Sequence, residues 1–339
     1  MRAVVMNQPY EMHTGSWETP KLASGEVLVS VGAAGICAGD MYIYLGKNPY
    51  AIYPSIAGHE VAGTIAALGP NVTGIEVGTR VAVEPFIGCG QCYPCRQGKT
   101  NCCANLRIIG VHLPGGYADF VSAPASHVHP VPDSLSMFEA TFTEPVAIGV
   151  QACRRADVGA EFVLVLGCGP IGLAIIEVAR ARGAMVVATD VIESRMEVAR
   201  QLGAETLLAD DRLLDTIMAR TQGEGAPVVI EATGNPKAME STVDLVAAGG
   251  RICIVGLVKR GTLVSFPGLD FTRKEMTIVG SRASVDCFPE SLALLASGQI
   301  HYPKIATQFS MWEAPTVFKH LAEHPDAVQK GVLMHETSV

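Results

Sequence analysis

The sequence predicts an α/β protein that joins a doubly wound parallel sheet to a second, β-rich domain. The chain has 339 residues, more than one hydrophobic core usually accommodates, so two domains are expected. Short apolar runs separated by Gly and Pro fill roughly the first 150 residues and indicate strands. From about Phe162 onwards, strand, glycine turn and helix alternate, which is typical of a parallel sheet covered by helices on both faces.

The predicted elements follow this division. In the first part, strands are expected at residues 26–31, 61–67 and 80–83. In the second part, they are expected at residues 162–166, 185–189, 228–232, 251–255 and 276–280. Helical patterns occupy residues 173–182 and 289–296. The segment after Gly280 is too short for a domain of its own, so we expect it to pack onto the first domain.

Composition and charge exclude several classes of protein. The net charge is -8 and the pI is about 5.6, whereas nucleic-acid binding requires concentrated Lys and Arg. The most apolar stretch, residues 162–176, is interrupted by glycines and a proline and is shorter than the ~20 residues of a spanning helix. No export signal is visible at the N-terminus. We therefore expect a cytoplasmic protein with a small-molecule substrate and no nucleic-acid or membrane partner.

The first strand of the second part runs into a glycine motif, G-x-G-x-x-G. Its glycines allow a tight turn, close approach of the backbone to a pyrophosphate, and close packing of helix on strand, as in the Rossmann dinucleotide fold. The next strand ends in Asp190, whose carboxylate suits ribose hydroxyls and favours NAD over NADP. Arg195 lies nearby in the sequence, and its positive charge leaves NADP as the alternative cofactor. The predicted cofactor-binding residues are Gly167, Gly169, Pro170, Ile171, Gly172, Asp190 and Arg195.

Four cysteines lie within fifteen positions in the first part: Cys89, Cys92, Cys95 and Cys103. Four thiolates close a tetrahedral zinc site without an open position, which favours a structural role. Disulfides and an iron–sulfur cluster are the alternatives. Cys102 leaves the identity of the fourth ligand open.

A second, dispersed set suits a catalytic zinc: Cys37, His59, Glu60 and Glu144. One thiolate, one imidazole and one carboxylate are three protein ligands, which leave a fourth position for water or substrate. Asp40 is placed to orient His59. Taken singly, each residue also has an ordinary structural explanation, such as a buried cysteine, a core histidine or a capping acid.

Along the chain, the Cys37 segment, Gly58-His59-Glu60, the four-cysteine lobe, Glu144-Pro145 and the glycine motif follow one another in that order. With these motifs the chain resembles the zinc-containing medium-chain alcohol dehydrogenase family. Gly58-His59-Glu60 and Glu144-Pro145 are similar to the sorbitol and threonine dehydrogenase branch of that family. The resemblance implies that Cys37, His59 and Glu60 bind the catalytic zinc, while Glu144 holds the exchangeable water or replaces it. It also implies a GroES-like catalytic domain at 1–147 with a structural zinc lobe at 88–104. A Rossmann domain is expected at 148–282, and residues 283–339 return to the catalytic domain.

Local likeness extends to bacterial dehydrogenases that act at carbon 5 of the sugar acids L-galactonate, L-gulonate or L-idonate, through segments that include His112 and Arg282. If the substrate carries a carboxylate, Arg282 is a suitable counter-charge. Contact with the cofactor alone, or packing at the domain junction, is an equal alternative for Arg282. One departure concerns proton transfer, because Gly39 and Tyr42 stand where the family usually has a hydroxyl residue and often a histidine.

The expected reaction is oxidation of a secondary alcohol, in which zinc lowers the pKa of the hydroxyl and NAD accepts the hydride. We expect two zinc ions per chain and a homodimer or a homotetramer. L-threonine 3-dehydrogenase and sorbitol or xylitol dehydrogenase are the alternatives among enzymes. A non-catalytic zinc and nucleotide sensor is the alternative from another class, and a zinc-free quinone reductase is disfavoured by the two metal sets.

Overall fold

The computed structural model describes residues 1–336 of the chain, which form two compact units. The first unit contains residues 1–144, 288–298 and those from 303 onwards. The second unit contains residues 145–287 and 299–302.

The strands and helices are as follows in chain order. The strands are β1 (Arg2–Gln8), β2 (Glu11–Ser16), β3 (Glu26–Ile36), β4 (Glu60–Leu68), β5 (Arg80–Val83), β6 (Phe86–Ile87), β7 (Arg107–Ile108), β8 (Phe120–Pro124), β9 (Val128–Pro130), β10 (Phe162–Leu166), β11 (Met185–Asp190), β12 (Glu205–Leu208), β13 (Ala226–Glu231), β14 (Val246–Ile254), β15 (Thr277–Gly280), β16 (Thr307–Ser310) and β17 (Gly331–Met334). The α-helices are α1 (Ala38–Tyr44), α2 (Tyr93–Arg96), α3 (Met137–Ala140), α4 (Thr143–Arg155), α5 (Pro170–Ala181), α6 (Glu193–Gln201), α7 (Leu213–Arg220), α8 (Pro236–Leu245), α9 (Gly268–Lys274), α10 (Phe288–Ala296) and α11 (Ala314–Glu323). Short 3-10 helices occupy Thr100–Cys102, Ala125–His127, Tyr302–Ile305 and Met311–Glu313.

The first unit is built around a mostly antiparallel sheet with the order β16-β17-β3-β4-β5-β9, in which β8 also pairs with β3. Side chains along β3 alternate between buried and half-buried over most of its length, as expected for a strand with one face on a core. The core beneath it includes Tyr117, Phe318 and Ile65. Because β3 and β4 are antiparallel with Gly35 opposite Glu60, the end of β3 and the start of β4 lie at one edge of the sheet.

The second unit contains a parallel sheet with the order β12-β11-β10-β13-β14-β15. Its central strands are almost wholly apolar, because a parallel sheet is buried on both faces. The chain leaves β10 towards β11 on one side and later returns to β13 on the other. Ligands of such sheets bind beyond the carboxyl ends of the strands at this reversal.

The doubly wound sheet is confirmed, with two corrections to its strands. The short edge strand β12 was not predicted, because its residues are half-buried or exposed and lack an apolar run. Strand β14 starts at Val246, five positions before the predicted start at Arg251, since a register irregularity lets Val246 pair with Ala226. Among the described residues, none of the helices is long and apolar enough to cross a membrane.

Candidate active site

Three of the predicted zinc ligands meet at the edge where β3 ends and β4 begins. Cys37 directly follows β3 and is the N-cap of α1. His59 directly precedes β4, and Glu60 is the first residue of that strand. One ligand atom from each residue lies within 4.8 Å of the others. Residues 22 positions apart in the sequence are therefore brought together by strand pairing.

Asp40 ties the segments that carry these residues to each other. Its carboxylate accepts hydrogen bonds from the backbone N–H of Cys37 at 2.9 Å and of Gly58 at 3.2 Å. The Nδ1 atom of His59 lies 3.4 Å from Asp40 Oδ1, which leaves Nε2 as the ring nitrogen for a metal. The Asp40 side chain is fully buried.

In Asp40 and His59, burial opposes the charged form of each side chain, whereas the charge of the neighbour favours it. Burial opposes ionisation of Asp40, yet the neighbouring His59 and the hydrogen bonds hold the pKa of its carboxyl below the ordinary value. Burial also disfavours a charged His59, but the Asp40 carboxylate and the Cys37 sulfur raise the pKa of the imidazole well above its ordinary value. Without a metal, each group therefore favours the charged form of the other, a carboxylate beside an imidazolium.

Lys330 is a residue of this site that sequence reasoning missed. Its side chain is 3% exposed, and its ammonium lies 2.5 Å from both carboxylate oxygens of Glu60. It also donates to the carbonyl oxygen of Ile36 at 3.0 Å. A Cβ on Gly35 would lie 1.9 Å from Glu60 Oε2, so only glycine fits opposite this carboxylate. Glu60 thus carries its own buried counter-charge.

Glu144 lies in the first turn of α4 and is buried. Burial raises the pKa of its carboxyl to about 7, an effect that His59 partly offsets. Glu144 is not part of the group whose ligand atoms lie within 4.8 Å of one another. The structure therefore brings three of the four predicted residues together as a ligand set and leaves Glu144 outside it.

The donor set fits zinc. A thiolate, an imidazole nitrogen and a carboxylate oxygen are the ligands that zinc prefers, and three of them leave a coordination position open. Cys37 and His59 are only partly exposed and Glu60 is buried, which suits an ion held at the edge of a protein core.

The four predicted structural cysteines converge as a second set. The ligand atoms of Cys89, Cys92, Cys95 and Cys103 lie within 4.8 Å of one another, and Cys92 Sγ is 3.4 Å from Cys95 Sγ. Backbone N–H groups, first that of Ala104, lower the pKa of Cys92 to about 6, which favours the thiolate that binds metal. Cys102 is exposed and lies outside this group.

The glycine motif in the second unit forms an open cradle. Gly167 adopts a left-handed φ of +105° directly after β10, and a Cβ on Gly172 would lie 1.9 Å from Gly167 O. A Cβ on Gly169 would meet no atom within 4 Å, so the space in front of it is free. Gly169 is the N-cap of α5, and Pro170 and Ile171 are the first residues of that helix.

A cavity of about 740 Å³ extends from this cradle. Asp190 and Arg195 line it, together with Gly167, Gly169, Asp211, Thr233 and Lys237. Asp190 is 8% exposed, and its carboxylate accepts hydrogen bonds from the N–H groups of Cys168 at 2.9 Å and Ile192 at 3.0 Å. The cradle and the acid at the end of β11 fit a dinucleotide.

The two residues predicted to contact substrate lie in different units. His112 is half-buried in the first unit, and its Nδ1 accepts a hydrogen bond from the N–H of Ile108 at 3.1 Å. Arg282 is exposed in the second unit, two residues after β15. Tyr42, where the family often has a histidine, is 54% exposed on α1.

Comparison with known proteins gives matches over both units. Two protein-family models match the chain: "Alcohol dehydrogenase GroES-like domain" over residues 23–133 and "Zinc-binding dehydrogenase" over residues 170–297. These matches bear out the expectation of a GroES-like domain and a Rossmann domain. The dispersed residues Cys37, His59 and Glu60 and the four clustered cysteines all fall in the first match.

Individual relatives are similar over most of their length. L-galactonate-5-dehydrogenase of Escherichia coli K12 is 38% identical over 304 residues, 88% of each chain. L-threonine 3-dehydrogenase of Pyrococcus horikoshii is 35% identical over 317 residues, 91% of this chain and 90% of that one. The solved structure of "short chain alcohol dehydrogenase (rspB)" from E. coli CFT073 with NADH has a TM-score of 0.91 at 31% identity and covers 98% of this chain and 99% of its own.

Proposed function

The chain belongs to the zinc-containing medium-chain alcohol dehydrogenase family, and from this premise we propose that it oxidises a secondary alcohol of a sugar acid or polyol to the ketone with NAD. Membership makes it a zinc-dependent oxidoreductase that acts on CH–OH groups. The observation that carries the proposal is the convergence of Cys37, His59 and Glu60 within 4.8 Å.

In this proposal Cys37, His59 and Glu60 hold the catalytic zinc. A zinc ion acts there as a Lewis acid that lowers the pKa of an alcohol hydroxyl. Asp40 keeps His59 in the orientation that presents Nε2, and Lys330 balances the charge of Glu60. The pKa of Glu144 is about 7 without metal. In this proposal its carboxyl holds the exchangeable water or replaces that water as a zinc ligand.

Proton release needs a route other than the family's usual hydroxyl relay, because Gly39 has no side chain. Glu144, the exposed Tyr42 and ordered water are the candidates. Glu144 is the best supported of the three, since it is a buried carboxyl whose charge interacts with those of His59 and Glu60 and which, when ionised, can accept a proton.

We propose NAD as the cofactor. Bound NAD supplies the acceptor for the hydride. Asp190 supports NAD over NADP, because a carboxylate repels a 2′-phosphate, and the solved relative with NADH adds to that support. Arg195 lines the same cavity, and its charge is the argument for NADP. Comparing kcat/KM for the two cofactors decides between them, and a preference for NADP would contradict the proposal.

A hexonate such as L-galactonate, L-gulonate or L-idonate is the substrate we propose first, on the basis of the 38% identical relative. His112 suits it, because its Nδ1 accepts from Ile108 and the hydrogen therefore resides on Nε2, which can donate to a substrate oxygen. Burial lowers the pKa of His112, so the ring is neutral at physiological pH. Arg282 is the proposed counter-charge for the carboxylate.

The test is a screen for NADH production across hexonates, polyols and L-threonine with the zinc-loaded enzyme. We expect the highest kcat/KM on a hexonate. The 35% identical relative favours L-threonine as the second candidate, and sorbitol and xylitol are the polyols to include. Activity on L-threonine alone would replace the proposed substrate, and no activity on any alcohol would contradict the proposed function.

We further propose two zinc ions per chain and a homodimer or a homotetramer. The four-cysteine set supports the second zinc. Exposed apolar side chains on the second unit support association, since Leu257 is 89% and Leu263 is 87% exposed. Metal analysis by mass spectrometry and multi-angle light scattering test both points. One zinc per chain, or a monomer, would contradict them.

A further inference from the structure

Tyr117 is a fully buried tyrosine that lies behind the proposed catalytic metal site in the first unit. Its side chain has 0% exposure and belongs to the core of that unit. Its backbone is held on both sides, because its N–H donates to Ala57 O at 3.1 Å and its carbonyl oxygen accepts from the N–H of Val4 at 2.8 Å. The ring position is therefore set independently of the hydroxyl.

The hydroxyl of Tyr117 lies 3.0 Å from Asp40 Oδ2 and 3.0 Å from Gly35 O. It has one proton to donate, and an ionised carboxylate is the stronger acceptor of the two. Because burial excludes water from this place, a side chain without the hydroxyl would leave Asp40 with one donor fewer. Asp40 is the carboxylate that already holds the N–H groups of Cys37 and Gly58.

The ring of Tyr117 supports the segment that presents His59. Gly58 has a left-handed φ of +94°, and a Cβ on it would lie 2.5 Å from Tyr117 Cδ1. The ring thus lies directly against the backbone of the residue before His59. Gly35, which the hydroxyl also approaches, is the register partner of Glu60.

One side chain therefore contacts both segments that carry the proposed zinc ligands. It reaches the Cys37 segment through Asp40 and Gly35, and the His59–Glu60 segment through Gly58. We propose that Tyr117 is a positioning residue whose hydroxyl sets the zinc affinity of the Cys37–His59–Glu60 site by holding Asp40 in place. This inference rests on the proposed function, because it takes that site to be a zinc site.

The size of the effect follows from other metal sites. Removing a hydrogen-bond partner that orients a metal ligand typically weakens metal binding by about 10- to 100-fold. Tyr117→Phe removes the hydroxyl and keeps the ring against Gly58. Because Tyr117 acts on His59 only through Asp40, we expect zinc at this site to bind about tenfold more weakly, the lower end of that range, while zinc at the four-cysteine set is retained.

The experiment compares Tyr117→Phe with Tyr302→Phe in the full-length, zinc-loaded protein. Tyr302 is a matched control, because it is also fully buried but belongs to the second unit. Zinc affinity is measured by competition with a chelator, and the cobalt-substituted proteins are compared through the thiolate-to-cobalt absorption band. We expect weaker binding and a shifted band for Tyr117→Phe, and wild-type values for Tyr302→Phe.

Equal zinc affinity and identical cobalt spectra for wild type and Tyr117→Phe would overturn the inference while leaving the proposed function intact. A wild type that binds zinc only at the four cysteines would overturn both. Asp40→Asn provides a second reading if Tyr117→Phe does not fold. It should weaken zinc binding in the same way, and wild-type affinity in Asp40→Asn would also overturn the inference.

Discussion

Gly39 stands in the first turn of α1, next to two proposed zinc ligands. A Cβ at this position would lie 3.7 Å from His59 Cε1 and 3.9 Å from Cys37 Sγ, which are ordinary contact distances. Gly39→Ser should therefore fold normally. Because its hydroxyl supplies the missing relay, we expect kcat for alcohol oxidation near neutral pH to rise by about tenfold, which is below the roughly 10²- to 10⁴-fold that a fully positioned proton-transfer group contributes.

Gly39→Ala is the matched control for this substitution, since it adds the Cβ without the hydroxyl. Steady-state kinetics across pH 6–9 measure both variants. An equal response of the Ser and Ala variants would show that the proton leaves by another route.

Among single residues, Glu144 gives the clearest prediction for how zinc binding depends on pH. Its pKa, raised from 4.5 to about 7 by burial, means that the metal-free protein keeps this proton up to neutrality. Zinc, which favours the ionised form, must then displace the proton, so Glu144 should contribute a rise in zinc affinity as the pH rises towards 7 and no further rise above it. We expect Glu144→Gln to release about one proton fewer than wild type on zinc binding at pH 6.

Titration calorimetry in buffers of different ionisation enthalpy counts these protons. If the Gln variant releases as many protons as wild type, Glu144 does not respond to the metal. Glu139→Gln is a suitable control, because Glu139 is an acid on the neighbouring helix α3 whose side chain caps that helix instead.

The cysteine lobe shows how one short segment depends on a metal. Residues 88–104 contain a four-residue helix and a 3-10 turn, too little to form a stable core alone. Cys95→Ser should remove one zinc per chain, as measured by mass spectrometry, and make this lobe susceptible to limited proteolysis. Cys102→Ser is the control, because Cys102 is exposed outside the four-cysteine set. Loss of zinc from Cys102→Ser would reassign the fourth ligand.

In the turn between β10 and α5, one glycine is needed for packing and another for ligand binding. Gly172→Ala would push its Cβ to 1.9 Å from Gly167 O, so we expect a loss of stability of about 1–3 kcal/mol. Gly169→Ala meets no protein atom and should leave the thermal midpoint unchanged. It should nevertheless weaken NADH binding by roughly tenfold, about 1.4 kcal/mol, because the added methyl blocks the pyrophosphate. Unchanged NADH fluorescence titration of Gly169→Ala would contradict a dinucleotide in this cradle.

The two proposed ligand sites belong to different units of the molecule. Cys37, His59 and Glu60 lie in the first unit, and the glycine motif with Asp190 lies in the second. Removing the catalytic zinc with dipicolinate should abolish alcohol oxidation yet leave the dissociation constant of NADH unchanged, and adding zinc should restore activity. Persistent oxidation of the substrate by the zinc-free protein would contradict the proposed mechanism.

Much of the whole molecule could be predicted because its signals are local. The alternation of strand and helix after Phe162 specifies the parallel sheet, and apolar runs specify β3, β4 and β5, three of the strands in the sheet of the first unit. The edge strand β12 could not be found in this way, since its side chains are half-buried or exposed and its pattern resembles that of a loop.

The sequence by itself determined the two units, the cysteine set and the glycine turn, because each depends on residue types at short, regular spacings. The dispersed pair Cys37 and His59 was predicted through the resemblance to a family. Only the tertiary structure showed that Lys330 neutralises Glu60, 270 positions away, and that Tyr117 reaches Asp40, 77 positions away. It also set Glu144 beside the ligand set rather than in it. Such contacts depend on how strands pair and pack. They join residues that are far apart in the chain, and no local sequence pattern indicates which two residues will meet.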